Sequence, residues 1–116
     1  FSSGVCDAVG LYVYPNLAGF PRRLWHKWMR DHARSILHSL RAAQPGIPFI
    51  GIYPAFARTP TYVLPSRPQV VRMGRLYRAF GAKGLMAFIW QVESNPQYRT
   101  VANSPWLRPA VRQLAH

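Results

Sequence analysis

Three short apolar segments, each ending in an aromatic residue, constrain the fold of this chain more than any other feature. The aromatic ends Tyr14, Tyr53 and Trp90 lie 39 and 37 residues apart, close to the length of one strand and helix unit. The first two segments read Gly-Leu-Tyr-Val-Tyr-Pro and Gly-Ile-Tyr-Pro. Because strands that alternate with helices pair in parallel through crossover connections, this order predicts an α/β fold of consecutive βα units with parallel strands.

The predicted elements follow from apolar runs and from helix start signals. Each predicted strand is a short apolar run of the kind found in strands that are buried on both faces. The first helix has apolar residues at three-and-four spacing, and the second begins with the capping-box pair Ser66 and Gln69. In chain order, we predict strands near 8–14, 49–53 and 85–90 and helices near 22–43, 67–80 and 105–115.

The first strand does not lead into the glycine-rich turn of an open nucleotide-binding sheet, since Tyr14 is followed by Pro-Asn-Leu-Ala-Gly-Phe. We therefore expect the C-terminal part of a (β/α)8 TIM-type barrel, with residues 1–116 as a single partial barrel domain. The chain begins at Phe1 rather than Met, which also suggests a piece of a longer protein. Three strands cannot close a barrel, so we expect the remainder of the barrel or a second copy to cover the sheet edge.

The sequence argues against a transmembrane segment and against a metal site. No apolar run approaches the roughly 20 residues that cross a bilayer, so we expect a soluble chain without a transmembrane segment. A signal peptide would lie upstream of this sequence, which leaves the compartment unknown and secretion of a longer parent open. Cys6 is the single cysteine, and the histidines form no His-Glu-x-x-His motif, so the sequence predicts neither a metal site nor a cofactor.

The residues that end the predicted strands form a candidate carbohydrate site. Ligands of a barrel bind at the carboxyl ends of its strands. Aromatic rings stack on the apolar faces of sugars, and amide groups hydrogen-bond sugar hydroxyls. Packing in the core is the alternative role for aromatic residues at these positions. The candidate substrate-binding residues are Tyr12, Tyr14, Asn16, Tyr53, Trp90 and Gln91.

Three segments of the chain carry a resemblance to a known class of enzymes. They are residues 7–15, 48–54 and 80–90, the last of which reads Phe-Gly-Ala-Lys-Gly-Leu-Met-Ala-Phe-Ile-Trp. They resemble the last strands of (β/α)-barrel glycoside hydrolases, in which a Gly-Ala-x-Gly turn leads into an eighth strand that ends in a substrate-lining Trp. Trp90 occupies the matching position. The resemblance, which extends to hyaluronidase-type barrels, implies a carbohydrate-active enzyme that hydrolyses O-glycosidic bonds.

The acidic residues depart from that enzyme pattern. Glycoside hydrolysis usually requires two carboxyl groups that lie about 5 to 10 Å apart. The chain contains only Asp7, Asp31 and Glu93, and Glu93 alone lies near the predicted carboxyl ends of the strands, which makes it the catalytic candidate. The resemblance therefore implies that the catalytic carboxylates lie upstream, that this chain contributes aromatic subsite residues, and that it is inactive alone.

The charge of the chain supports a second hypothesis. Fifteen Lys and Arg oppose three Asp and Glu, for a formal net charge of +12. A basic stripe recurs at helical spacing on the first predicted helix and is suited to following a phosphate backbone. A solvated outer helix face explains the same stripe without a ligand. The residues of this alternative nucleic-acid or polyanion-binding module are Arg23, Lys27, Arg30, Arg34 and Arg41.

Overall fold

A computed structural model describes residues 7–89, 98–102 and 104–115 of the chain. No helix in this described part is long and apolar enough to cross a membrane. Short 3₁₀ turns at Arg22–Leu24 and Pro105–Leu107 precede the first and third helices. In chain order, the strands and helices are β1 Val9–Tyr12, α1 Trp25–Ala43, β2 Phe49–Pro54, β3 Ala57–Arg58, α2 Arg67–Ala79, β4 Gly84–Phe88, β5 Tyr98–Arg99 and α3 Arg108–Leu114.

The three longer strands form one parallel sheet in the order β1, β2, β4. The register pairs Val9 with Phe49, and it pairs Ile50 with Gly84. The prediction of an α/β fold with parallel strands is therefore confirmed. The short strands β3 and β5 pair antiparallel as a separate two-stranded sheet, which the sequence patterns do not predict.

The helices form where the sequence spacing places apolar side chains on one side. The buried residues of α1 recur every three or four positions, so one stripe of the helix packs into the core. The predicted capping box begins α2: Ser66 Oγ accepts from the Gln69 amide at 3.3 Å, and Gln69 Oε1 accepts from the Ser66 amide at 2.8 Å. Both helices end before a glycine with positive φ, Gly46 at 80° and Gly81 at 97°.

The core lies between the sheet and the helices, on one face of the sheet. The connections between parallel strands are almost always right-handed. Because successive strands are added in one direction here, this handedness places both helices on the same face of the sheet. Side chains from β1, β2, α1 and α2 meet in one hydrophobic cluster. Its members include Leu11, Val13, Phe49, Tyr53, Met29, Ala33, Leu37, Val70, Met73 and Tyr77.

The opposite face of the sheet, which we call the open face, is exposed. Tyr12 exposes 64% of its surface, Met86 52% and Phe88 40%. Side chains alternate along a strand, so these residues point away from the helices. The prediction that the strands are buried on both faces is wrong for the described chain, because none of its elements packs on the open face.

Tyr77 of α2 joins the two strands that it covers. Its hydroxyl accepts a hydrogen bond from the Val13 amide at 3.0 Å and donates one to the Ile52 carbonyl at 2.9 Å. The ring is fully buried and lies against Gly51 of β2. This contact fixes α2 at the carboxyl half of β1 and β2, next to the part of the sheet where the candidate site lies.

Candidate functional site

An aromatic cluster lies at the carboxyl edge of the parallel sheet. β1 and the segment that follows it supply Tyr12 and Tyr14, and β4 supplies Phe88. Phe56 and Tyr62 come from the loop after β2. Neighbouring ring centroids lie between 5.1 and 5.8 Å apart, the range of favourable aromatic pairs. Three separate segments of the chain therefore build one aromatic surface.

Tyr14 is the centre of the aromatic cluster. Its ring stacks on Phe88 with an interplanar angle of 23° and meets Phe56 edge-on at 74°. Phe56 is buried beneath, whereas Tyr12 and Phe88 are exposed at the open face. The cluster thus has a packed base and an accessible apolar side.

The surroundings of Tyr14 favour its neutral phenol. Burial, with smaller contributions from Tyr12 and Tyr62, raises the pKa of Tyr14 to about 12. The hydroxyl therefore retains its proton at neutral pH and can both donate and accept a hydrogen bond. A half-buried neutral phenol of this kind suits a ligand that presents hydroxyl groups.

Asn16 supports the loop of the aromatic cluster from within. Its side chain is completely buried, and its Nδ2 donates to the carbonyls of Phe56 and Val63, both at 3.0 Å. The Val63 amide in turn donates to the Asn16 carbonyl at 2.8 Å. The structure therefore places this candidate substrate-binding residue behind the cluster, where it holds the loop that carries Phe56 and Tyr62.

Replacing Asn16 by alanine is expected to lower the free energy of unfolding by about 1 to 2 kcal/mol. The substitution leaves the carbonyls of Phe56 and Val63 without their donor. The expected loss of stability is moderate because the substitution also removes Asn16 Oδ1, which is buried without a hydrogen bond from a described residue. Urea denaturation measures the effect. Thr61→Ala, at an exposed position of the same loop, is the control and should change stability by less than about 0.5 kcal/mol.

Tyr53 lies on the helix-covered face of β2 and not in the aromatic cluster. It has the same orientation as Phe49 and Gly51, and only 3% of its surface is exposed. Burial raises the pKa of Tyr53 to about 12, against an opposing effect of the nearby Arg78. The structure therefore gives this candidate substrate-binding residue a packing position between the sheet and α2.

The remaining carbohydrate candidates, Trp90, Gln91 and Glu93, lie outside the described residues. Within the described part, the sequence candidates omit Phe88 and Tyr62, which the structure adds to the cluster. The sequence does indicate Phe88. It precedes Trp90 by two positions, and residues two apart in a regular strand lie on the same face of the sheet. No local sequence pattern indicates that Tyr62 contacts Phe56.

The basic stripe of α1 is largely exposed, but three of its five candidates contact groups of the chain itself. Lys27 Nζ lies 2.8 Å from Asp31 Oδ2, and Arg30 Nε lies 3.8 Å from Asp31 Oδ1. The hydrogen bond from Lys27 is the main reason why the pKa of Asp31 lies below its usual value. Arg41 donates to the Phe80 carbonyl at 2.7 Å. These contacts reduce the charge that the stripe presents to a polyanion.

The other two candidates of the stripe, Arg23 and Arg34, are exposed. They differ in their surroundings. Arg23 lines a cleft between the start of α1 and α2, together with two further arginines. The structure therefore separates Arg23 from the rest of the stripe and places it in a concave basic site.

The described residues contain no group of three or more His, Cys, Asp and Glu that could hold a metal ion. The aromatic cluster and the basic cleft are two candidate sites within the described part of the chain. Neither a protein-family model nor a curated protein matches this sequence at a significant level.

Proposed function

We propose that this chain supplies consecutive βα units of a (β/α)8 barrel, and that its aromatic cluster is a carbohydrate subsite of a glycoside hydrolase whose catalytic carboxylates lie upstream. The observation that carries the proposal is the accessible aromatic cluster at the carboxyl edge of a parallel sheet. Ligands of barrel enzymes bind at this edge, because the loops and strand ends there converge on one site.

The layer arrangement supports the barrel. A doubly wound sheet reverses its strand order and carries helices on both faces, whereas a barrel adds strands in one direction with helices outside. Here the strand order runs in one direction, and the helices of the described part pack on one face of the sheet. The open face would then line the barrel interior, covered by the remainder of the barrel. Coverage by a second copy is the alternative for the same apolar face.

The composition of the cluster supports a sugar ligand. Tyr12 and Phe88 offer exposed rings whose centroids each lie within 5.8 Å of the Tyr14 ring. A pyranose places its C–H groups on such rings, while its hydroxyls need donors and acceptors at the rim. The neutral hydroxyl of Tyr14 can donate and accept hydrogen bonds there without introducing a charge.

The positions of the acids support a catalytic pair upstream of this chain. Asp7 precedes β1 and so lies at the amino edge of the sheet. Asp31 lies on α1 and pairs with Lys27. Hydrolysis by an acid and a nucleophile or base requires two carboxyl groups across one glycosidic bond, and without Asp7 and Asp31 the catalytic candidate Glu93 has no second carboxyl group in this chain. We therefore expect the chain to bind a glycan without cleaving it.

Tyr12→Ala is expected to weaken glycan binding about five- to tenfold, because it removes the most exposed stacking ring. The measurement is an NMR titration of the aromatic ring protons with two probes, a hyaluronan hexasaccharide and a neutral chitin hexasaccharide. Met86→Ala is the matched control, since Met86 lies on the open face of β4 outside the cluster. It should leave the affinity within about twofold of the original chain.

The same titration separates the two function classes. Equal weakening by Tyr12→Ala and Met86→Ala, or no binding of either hexasaccharide, would contradict the carbohydrate proposal. The polyanion alternative predicts a different pattern. Hyaluronan and a DNA oligonucleotide would then bind with strong salt dependence, the neutral hexasaccharide would not bind, and Tyr12→Ala would have no effect.

A further inference from the structure

A small cleft lies between the start of α1 and the first turns of α2, and it shares no lining residue with the aromatic cluster. Its volume is about 80 Å³, several times the roughly 10 to 15 Å³ that one water needs. None of its described lining residues is an acid, and three of them are arginines. The cleft is lined by Arg22, Arg23, Trp25, His26, Gln69, Arg72 and Met73.

Arg22 is held in place by contacts from both helices. Its Nη1 donates to Gln69 Oε1 at 2.6 Å, and its Nη2 donates to the Leu64 carbonyl at 3.0 Å. Its guanidinium carbon also lies 4.9 Å from the centre of the Trp25 ring, a cation–π distance. Gln69 is itself fixed by the capping box of α2. One cation of the cleft is therefore positioned before any ligand arrives.

Arg23 and Arg72 complete the basic lining from opposite sides. Arg23 belongs to the turn that precedes α1, and Arg72 belongs to α2; both side chains are exposed. The turn before α1 has no side chain capping its amide groups. The positive end of the dipole of the 19-residue helix α1 therefore adds to the charge of the arginines.

His26 lies in the cleft beside basic residues. Burial is the first cause that lowers the pKa of His26, and the neighbouring Arg72 and Arg30 lower it further. The imidazole is thus neutral near pH 7 and faces positive charges from both α1 and α2. An anion bound in the cleft beside Arg72 would oppose the effect of that arginine and raise the pKa of His26.

We propose that this cleft binds a tetrahedral oxyanion, a phosphate or sulfate group, between Arg22, Arg23 and Arg72. Guanidinium groups form paired charge-assisted hydrogen bonds with such oxygens, and the cleft has room for one such group. The group is either a free ion or the terminal group of a larger ester. The proposal is independent of carbohydrate binding by the aromatic cluster, since the two sites share no residue.

The test is titration of the whole chain with inorganic phosphate at constant ionic strength, with the His26 ring followed by NMR. His26→Gln identifies the resonance. Phosphate is expected to raise the pKa of His26, and Arg72→Gln is expected to weaken phosphate binding at least about tenfold. Arg23→Gln, at an exposed position outside α2, should weaken it in the same direction. Arg75→Gln is the matched control, because Arg75 is an exposed arginine of α2 outside the cleft.

Phenyl phosphate distinguishes the source of the group. Tighter binding of the monoester than of inorganic phosphate would support recognition of an ester, and the reverse order would support a free ion. The proposal is overturned if phosphate leaves the pKa of His26 unchanged. It is also overturned if Arg72→Gln and Arg75→Gln reduce the effect equally, because general screening of the +12 chain would then explain it.

Discussion

Gly51→Ala is expected to destabilise the chain by about 3 kcal/mol or more, because the core has no room for a methyl group at this position. An alanine Cβ would lie 2.6 Å from the Tyr77 Cβ and closer still to the first ring carbon. Tyr77 cannot move aside easily, since its hydroxyl bonds to both β1 and β2. Either the ring or the strand must shift, and both lie in the centre of the core.

Guanidinium denaturation followed by circular dichroism measures this effect. Gly84→Ala is the control, because a Cβ at Gly84 of β4 would meet its nearest neighbour, Ile50 Cγ1, at 3.9 Å. That variant should change the free energy of unfolding by less than about 1 kcal/mol. Comparable stability of Gly51→Ala and Gly84→Ala would show that α2 does not pack against β2 in the way described.

Tyr77→Phe is expected to lower the free energy of unfolding by about 2 to 4 kcal/mol, although it removes a single oxygen atom. The Val13 amide would lose its acceptor and the Ile52 carbonyl its donor, both next to the core. Burial is the first cause that raises the pKa of Tyr77 above its usual range, so the native hydroxyl stays protonated and donates. Each backbone group left without a partner adds its own desolvation cost.

Two measurements check the role of Tyr77. Denaturation gives the size of the loss, and amide hydrogen exchange should accelerate at Val13 in particular. Tyr12→Phe is the control, because it removes the same atom from an exposed side chain and should be nearly neutral. If both variants were equally stable, the hydroxyl of Tyr77 would not join the two strands.

The location of the candidate site could be predicted in part. Tyr12 and Tyr14 were identifiable because they end a strand, and the structure brings both into the aromatic cluster. Tyr53 also ends a strand, yet it packs against α2. The two cases differ only in which face of the sheet the side chain occupies. Both faces carry apolar residues here, so the amino-acid pattern does not distinguish them.

The basic cleft shows a second reason why sequence patterns are incomplete. The stripe on α1 groups residues by helical spacing, and this places Arg23 with Lys27 and Arg34. In the structure, Arg23 instead shares a cleft with Arg72, which comes from the next helix. Helical spacing describes neighbours along one helix, and it contains no information about the helix that packs beside it.

The sequence by itself determined the order of the three longer strands and the three helices, and the parallel sheet that follows from that order. Capping at Ser66 and the apolar spacing of α1 act over a few residues, so they can be recognised without the rest of the chain. Only the tertiary structure decided which face of the sheet the helices cover and which aromatic and basic side chains meet. Those outcomes depend on strand register and on contacts such as Tyr77 with Gly51, which join residues distant in the chain.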